Sequence, residues 1–137
     1  MKRVFVLLTV CLLLAACLAG CGGEALPEGV EEEALLAAGR EVVLQIVEGD
    51  YQGVHQAFRQ DVRESTSAEA VRDLALSGMG GAGVYKQIDS SMTTGQTVGG
   101  EQIGVAVFYC EFSEDDVLFR VSFDGELSLV GLSIQKQ

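Results

Sequence analysis

The chain has 137 residues with 20 acidic and 9 basic side chains, a formal charge of −11. Lacking any basic patch or stripe, it is not built for nucleic acid. Its length suits one small domain, and its four cysteines have no CxxC or Cys/His spacing that would hold zinc.

Residues 1–20 have the three parts of an export signal. Lys2 and Arg3 precede an apolar run from Val4 to Leu14, broken only by Thr9, and small residues follow. The run is shorter than the ~20 residues a helix needs to cross the hydrocarbon core. Leu18-Ala19-Gly20-Cys21 resembles the lipobox of bacterial lipoproteins, in which the cysteine receives a diacylglyceryl group and becomes the first mature residue. Leu14-Ala15-Ala16-Cys17 also fits, so Cys17 competes; Cys21 is preferred because it runs into the polar "CGGE". The resemblance implies palmitate-type acyl chains holding the protein on the extracytoplasmic face of a bacterial cell membrane, with a monoderm host expected. Losing residues 1–20 removes two bases and no acid, moving the charge to −13. Such a domain is repelled by anionic lipid. Residues 21–33, "CGGEALPEGVEEE", read as a flexible acidic tether with a mean reach of roughly 20 Å, and 34–137 as a single domain.

Within that domain Glu31–Glu48 is predicted helical, with Leu35, Ala38, Val42 and Ile46 on one stripe widened by Leu36, Val43 and Val47. Gly49 ends it and Asp50 caps a second helix, where Tyr51, Val54, Phe58 and Val62 recur at helical spacing. Thr66-Ser67-Ala68-Glu69 matches a capping box for a short helix through Leu76 that buries Val71, Leu74 and Ala75. "SGMGGAG" at 77–83 stops it. The hydrophobic period then changes from 3.6 to 2. Val84–Ser90 is a plausible strand and Ser91–Gly100 a weaker one containing a polar turn. Residues 102–112, 117–123 and 127–134 carry the strongest strand patterns. "SEDD" at 113–116 makes one turn, and Asp124-Gly125 a two-residue hairpin of the I′ class. Setting Phe112 opposite Val117, and Phe123 opposite Glu126, puts nearly every apolar pair of the three strands on one face. Helices first and strands afterwards predict an α+β domain, its helices packed on a curved antiparallel sheet of about four strands.

The segments "EGDYQGVHQAF", "GAGVYKQI" and "VAVFYCEFSEDDVLFRVSFDGELSLVGLSI" resemble a family of short bacterial lipoproteins of unknown function. Their domain is nuclear-transport-factor-2-like, or cystatin-like. The resemblance covers about residues 38–134, and implies a curved sheet wrapped round helices as a cone that can hold a pocket.

His55, the sole histidine, falls on the apolar stripe with Tyr51 and Phe58, and His55, Tyr51 and Tyr85 are the candidate pocket residues. Asp50 and Asp61 are its nearest carboxylates in sequence, but neither stands at i±3 or i±4 from it. The commoner explanation is a histidine at the core edge. "SEDD" lacks the alternating spacing and glycine of a calcium loop, so neither metal nor cofactor is expected. Cys110, the one thiol outside the leader segment, reads as a buried core residue. The sheet face away from the core is expected to carry Val105, Val107, Tyr109, Leu118, Arg120, Leu127 and Leu129. So apolar a face needs cover or a partner, either a second copy or another envelope protein. Arg120 lies near Tyr109 and could anchor an acidic group or pair with Glu111. Two functional readings follow. One is an anchored, non-catalytic module that binds a small molecule or a protein. The other is a small cone-fold isomerase or hydro-lyase working through His55 and an acid not placed by the sequence.

Overall fold

A computed structural model describes residues 24–137. The expected export signal and the lipidation candidates Cys17 and Cys21 lie outside those residues. The described chain is α+β: α1 (Glu32–Glu48), α2 (Tyr51–Ala57), α3 (Gln60–Ser65), α4 (Ala68–Met79), then β1 (Tyr85–Val98), β2 (Glu101–Phe112), β3 (Asp116–Phe123) and β4 (Leu129–Lys136). The strands form an antiparallel meander in the order β1-β2-β3-β4, and the helices pack against it. None of these helices is long and apolar enough to cross a membrane.

Local chemistry explains the helix ends. Gly49 stops α1 in the left-handed conformation (φ 80°), donating to the carbonyls of Gln45 and Ile46. Asp50 Oδ1 then accepts from Gly53 N–H at 3.0 Å and caps α2. Ser67, one residue beyond the expected cap, accepts from Ala70 N–H at 3.1 Å and opens α4. The predicted second helix is interrupted. Phe58 and Arg59 turn extended, Phe58 bridges Leu129, and Arg59 N–H donates to the Leu129 carbonyl at 2.8 Å. That tertiary bond outweighs the local helical spacing.

The helices seat through glycines. An added Cβ at Gly39 would stand 2.7 Å from the Phe108 ring and 2.9 Å from the Ala106 Cβ, so α1 lies close against β2. In α4, which runs three residues past the expected stop at Leu76, Gly78 does the same against Ile134 of β4. The core between them holds Leu35, Val42, Val43, Ile46, Val54, Val71, Ala75, Phe108, Cys110, Phe119 and Val121. Leu74, expected inside, is 37% exposed.

β1 is one 14-residue strand that runs unbroken through 91–98, and the turn in the expected weaker strand falls at its end, at Gly99–Gly100. The pairing of β2 with β3 keeps the expected parity but slides by two residues, with Cys110 opposite Val117 and Phe108 opposite Phe119. A slide of two preserves which face each side chain occupies. β4 slides by four residues with its parity kept from Val117–Lys136 to Ser122–Gly131, and the parity breaks only at its start. The register shifts between Ser122 and Phe123, so Phe123 pairs with Leu129 and Val130 is the extra residue of a bulge. Leu129 is thereby fully buried in the main core, and Leu127 (φ 60°) also packs against it; neither belongs to the outer face. The turn before them is longer than two residues. Asp124 Oδ1 accepts from both Glu126 and Ser128 N–H at 2.9 Å, and Leu127 N–H closes on the Asp124 carbonyl.

The acidic tether is also different from the expectation. Glu24 bridges Gly95 of β1, Pro27 is buried beside Gly104, and Leu26 and Val30 pack on the core. Residues 24–30 are therefore part of the domain.

An alanine in place of glycine at an unhindered helical site gains about 1 kcal/mol. Overpacking a core costs ~1–3 kcal/mol. Gly39→Val is thus expected to lower the urea unfolding free energy by about 2 kcal/mol, and an unchanged midpoint would show that the helix is not seated on Phe108.

Candidate functional site

Where α1 and α4 end, the sheet diverges from them and leaves a groove of about 520 Å³. Leu44, Val47 and Glu48 of α1 form one wall, Leu76 and Met79 of α4 a second, and Val84, Tyr85 and Phe112 the sheet side. Leu76 is 56% and Val84 73% exposed, and Leu44 is half-exposed beside them. The groove floor is ordered by aromatic packing. Tyr85 meets Phe112 edge-on at 5.6 Å, and Phe112 stacks near Phe119 at 6.5 Å. Partial burial pushes the Tyr85 phenol above its ordinary pKa. The sheet-side rim is tied down by Val84 N–H to Ser113 Oγ (2.9 Å) and Glu114 N–H to the Ala82 carbonyl (2.8 Å).

The three candidate pocket residues do not line one cavity. Tyr85 lines this groove, while Tyr51 lines a separate shallow depression with Gly49, Asp50 and Arg72. His55 Nε2 lies 3.1 Å from both the Arg63 and Thr66 carbonyls. Only a donor can serve two carbonyls, so Nε2 carries the proton. His55 ties α2 to the end of α3, which is a structural use of the ring. Cys110 is buried, and desolvation pushes its thiol from 9.0 up to about 11.

The face away from the helices is less bare than expected. Val105 and Val107 are buried with Ile103, against Leu118 and Val130. The bulge that took Leu129 into the core put Val130 on this face instead. The large apolar groups left exposed there are Tyr109, Met92 and, at the end of β1, Val98. Glu111 does not meet Arg120. It accepts from Gln87 Nε2 at 2.9 Å and lies 3.8 Å from Lys86 Nζ.

An ionic cluster was not foreseen. Arg59 binds Asp61 in bidentate fashion (2.8 and 3.0 Å), Glu101 through Nη1 (2.9 and 3.1 Å), and Asp124 at 3.3 Å. One guanidinium thus joins the start of α3, the start of β2 and the β3–β4 turn. Its hydrogen bonds hold the Asp61 carboxyl below the usual range, and the three carboxylates together raise the pKa of Arg59. Glu101 and Asp124 stand 42 and 65 residues from Arg59, so no local spacing announces them.

A family model described as "Protein of unknown function (DUF3887)" matches residues 39–132. The chain belongs to this family. The matched DUF3887 span begins at Gly39, where α1 seats on the sheet, and includes every groove residue named above. No curated protein matches the chain. In structure it is similar to a protein from Ruminococcus gnavus ATCC 29149 solved by NMR, with a TM-score of 0.68 and 21% identity. The match covers 80% of this chain and 96% of that one. At that identity the likeness speaks to the fold alone.

Two outcomes are expected of these groups. Asp124→Ala, which strips the acceptor from two buried-turn N–H groups, should cost about 2–3 kcal/mol, with Asp124→Asn recovering most of it; equal losses would mean the turn does not use Oδ1. Because the folded Cys110 thiol ionises above its ordinary 9.0, its contribution to stability is complete below pH 9 and lost as pH rises toward 11. Urea titrations of Cys110→Ala against the native chain across that window should therefore converge at the alkaline end.

Proposed function

We propose that the protein is a lipid-anchored, extracytoplasmic binding module that takes a small apolar molecule in the groove between α1, α4 and the Tyr85–Phe112 end of the sheet. The convergence of exposed Leu44, Leu76 and Val84 over an aromatic floor carries this reading. Exposed apolar side chains scattered singly need no explanation, but a cluster in a concavity does. The volume lies in the range of small-molecule sites, roughly 300–1,000 Å³. We read the frame as nuclear-transport-factor-2-like, with the groove as the mouth of its cone. The polar groups at this mouth are the Tyr85 hydroxyl and Glu48, enough to orient a ligand. His55, committed to two carbonyls, does not point to acid–base work.

The address rests on Leu18-Ala19-Gly20-Cys21 following an export signal. Intact-mass measurement on protein purified from its native membranes is expected to give a chain that starts at Cys21 and carries a diacylglyceryl group. A full-length, unlipidated mass would overturn the anchor.

For the groove, binding of the neutral fluorophore N-phenyl-1-naphthylamine should weaken by about tenfold or more, ~1.4 kcal/mol, in Leu76→Asp and Val84→Asp. Both sites are exposed, so melting temperature should hold. Unaltered binding in stably folded variants would remove the groove from consideration.

A further inference from the structure

The N-terminal segment, which the sequence alone presents as a slack tether, is docked, and this bears on how the molecule stands on its membrane. Glu24 is held at the far end of β1 from the groove. Gly95 N–H donates to its carbonyl at 3.0 Å, and Thr97 Oγ1 donates to its carboxylate at 3.1 Å. Beyond it Pro27 is buried, and Val30 N–H closes a turn on the Pro27 carbonyl. From Cys21 to Glu24 the chain can span no more than about 11 Å, three residues fully extended. By contrast Tyr85, on the groove floor, stands ten residues along the same strand from Gly95, roughly 33 Å at strand rise.

Resting on the lipid-anchor reading above, we infer that the docked segment Glu24–Val30 sets the domain upright on the bilayer, with the β1–β2 hairpin against the lipid headgroups and the groove facing the aqueous side. The hairpin tip suits that place. Val98 is exposed, and Gly99 and Gly100 follow it in left-handed conformations, so no side chain larger than valine stands at the apex. Glu24 and Glu101 flank the tip, so its nearness comes from the covalent tether and not from charge attraction to lipid. The acidic surface keeps the rest of the domain from lying flat on an anionic leaflet. The groove then samples molecules dissolved in the envelope, about 30 Å from the headgroups, and not the acyl chains of the membrane that carries it.

The test uses the full-length protein, lipidated in a bacterial host and reconstituted into phosphatidylcholine vesicles that contain a headgroup-nitroxide lipid. In a Cys110→Ala background, a fluorophore is placed through Val98→Cys at the tip or Glu114→Cys at the groove end. Quenching at the tip is expected to exceed that at residue 114 several-fold. Inserting a long Gly-Ser stretch between Gly23 and Glu24 should erase the contrast. Gly95→Val should reduce it too, because a side chain there collides with the Ala25 carbonyl and lifts the segment off β1. Vesicle flotation and intact mass are read on every sample. Failure to float would overturn the anchor and the orientation with it. Flotation with equal quenching at both sites, or a contrast that survives the insertion, would overturn the orientation alone.

Discussion

The seat of α1 on β2 governs this molecule. With no Cβ at Gly39, the helix axis comes close enough for Leu35, Val42, Val43 and Ile46 to reach the sheet, and Phe108 fills the space beneath. Because the sheet twists, that contact near the helix centre goes with divergence further along. The groove is where the divergence opens. Gly78 repeats the arrangement at β4, beside the α4 wall of the groove, so each helix wall is fixed to the sheet by one close contact. The site is thus a by-product of packing, lined by side chains that found no partner in the core.

Much of the frame was legible because its causes are local. Gly49 and Asp50 end one helix and begin another through their own backbone and side-chain chemistry, and alternation in β2 and β3 assigned the core face even where the register was off by two. What escaped depended on residues distant in sequence. The α2–α3 break exists because Phe58 and Arg59 pair with Leu129, some seventy positions on. The bulge at Val130 inverts two leucines, and nothing in "GELSLVG" distinguishes a bulged from a regular strand. The sequence splits β1 because the polar run Thr93–Thr97 reads as a turn; as an edge strand it is long and mostly exposed, and needs no apolar alternation.

The candidate site was half legible. Tyr85 was singled out and does line the groove, but Tyr51 and His55 share an apolar stripe with residues that face elsewhere. Leu44 and Leu76 carried no signal of their own, since an exposed leucine in a helix looks like any other until tertiary packing leaves it bare. The Arg59 cluster was invisible for the same reason. It also helps explain why an acidic chain tolerates three carboxylates at one corner: the guanidinium that draws them together has hydrogen-bond donors enough for all three.

The burial of Pro27 changes where this domain can be cut. Pro27 covers Gly104, and Leu35 packs beneath both. A recombinant fragment starting at residue 34, where the composition turns from acidic and glycine-rich to helical, would strip that cover and wet the base of the core. A fragment that keeps this cover has to retain the segment from Glu24 onward.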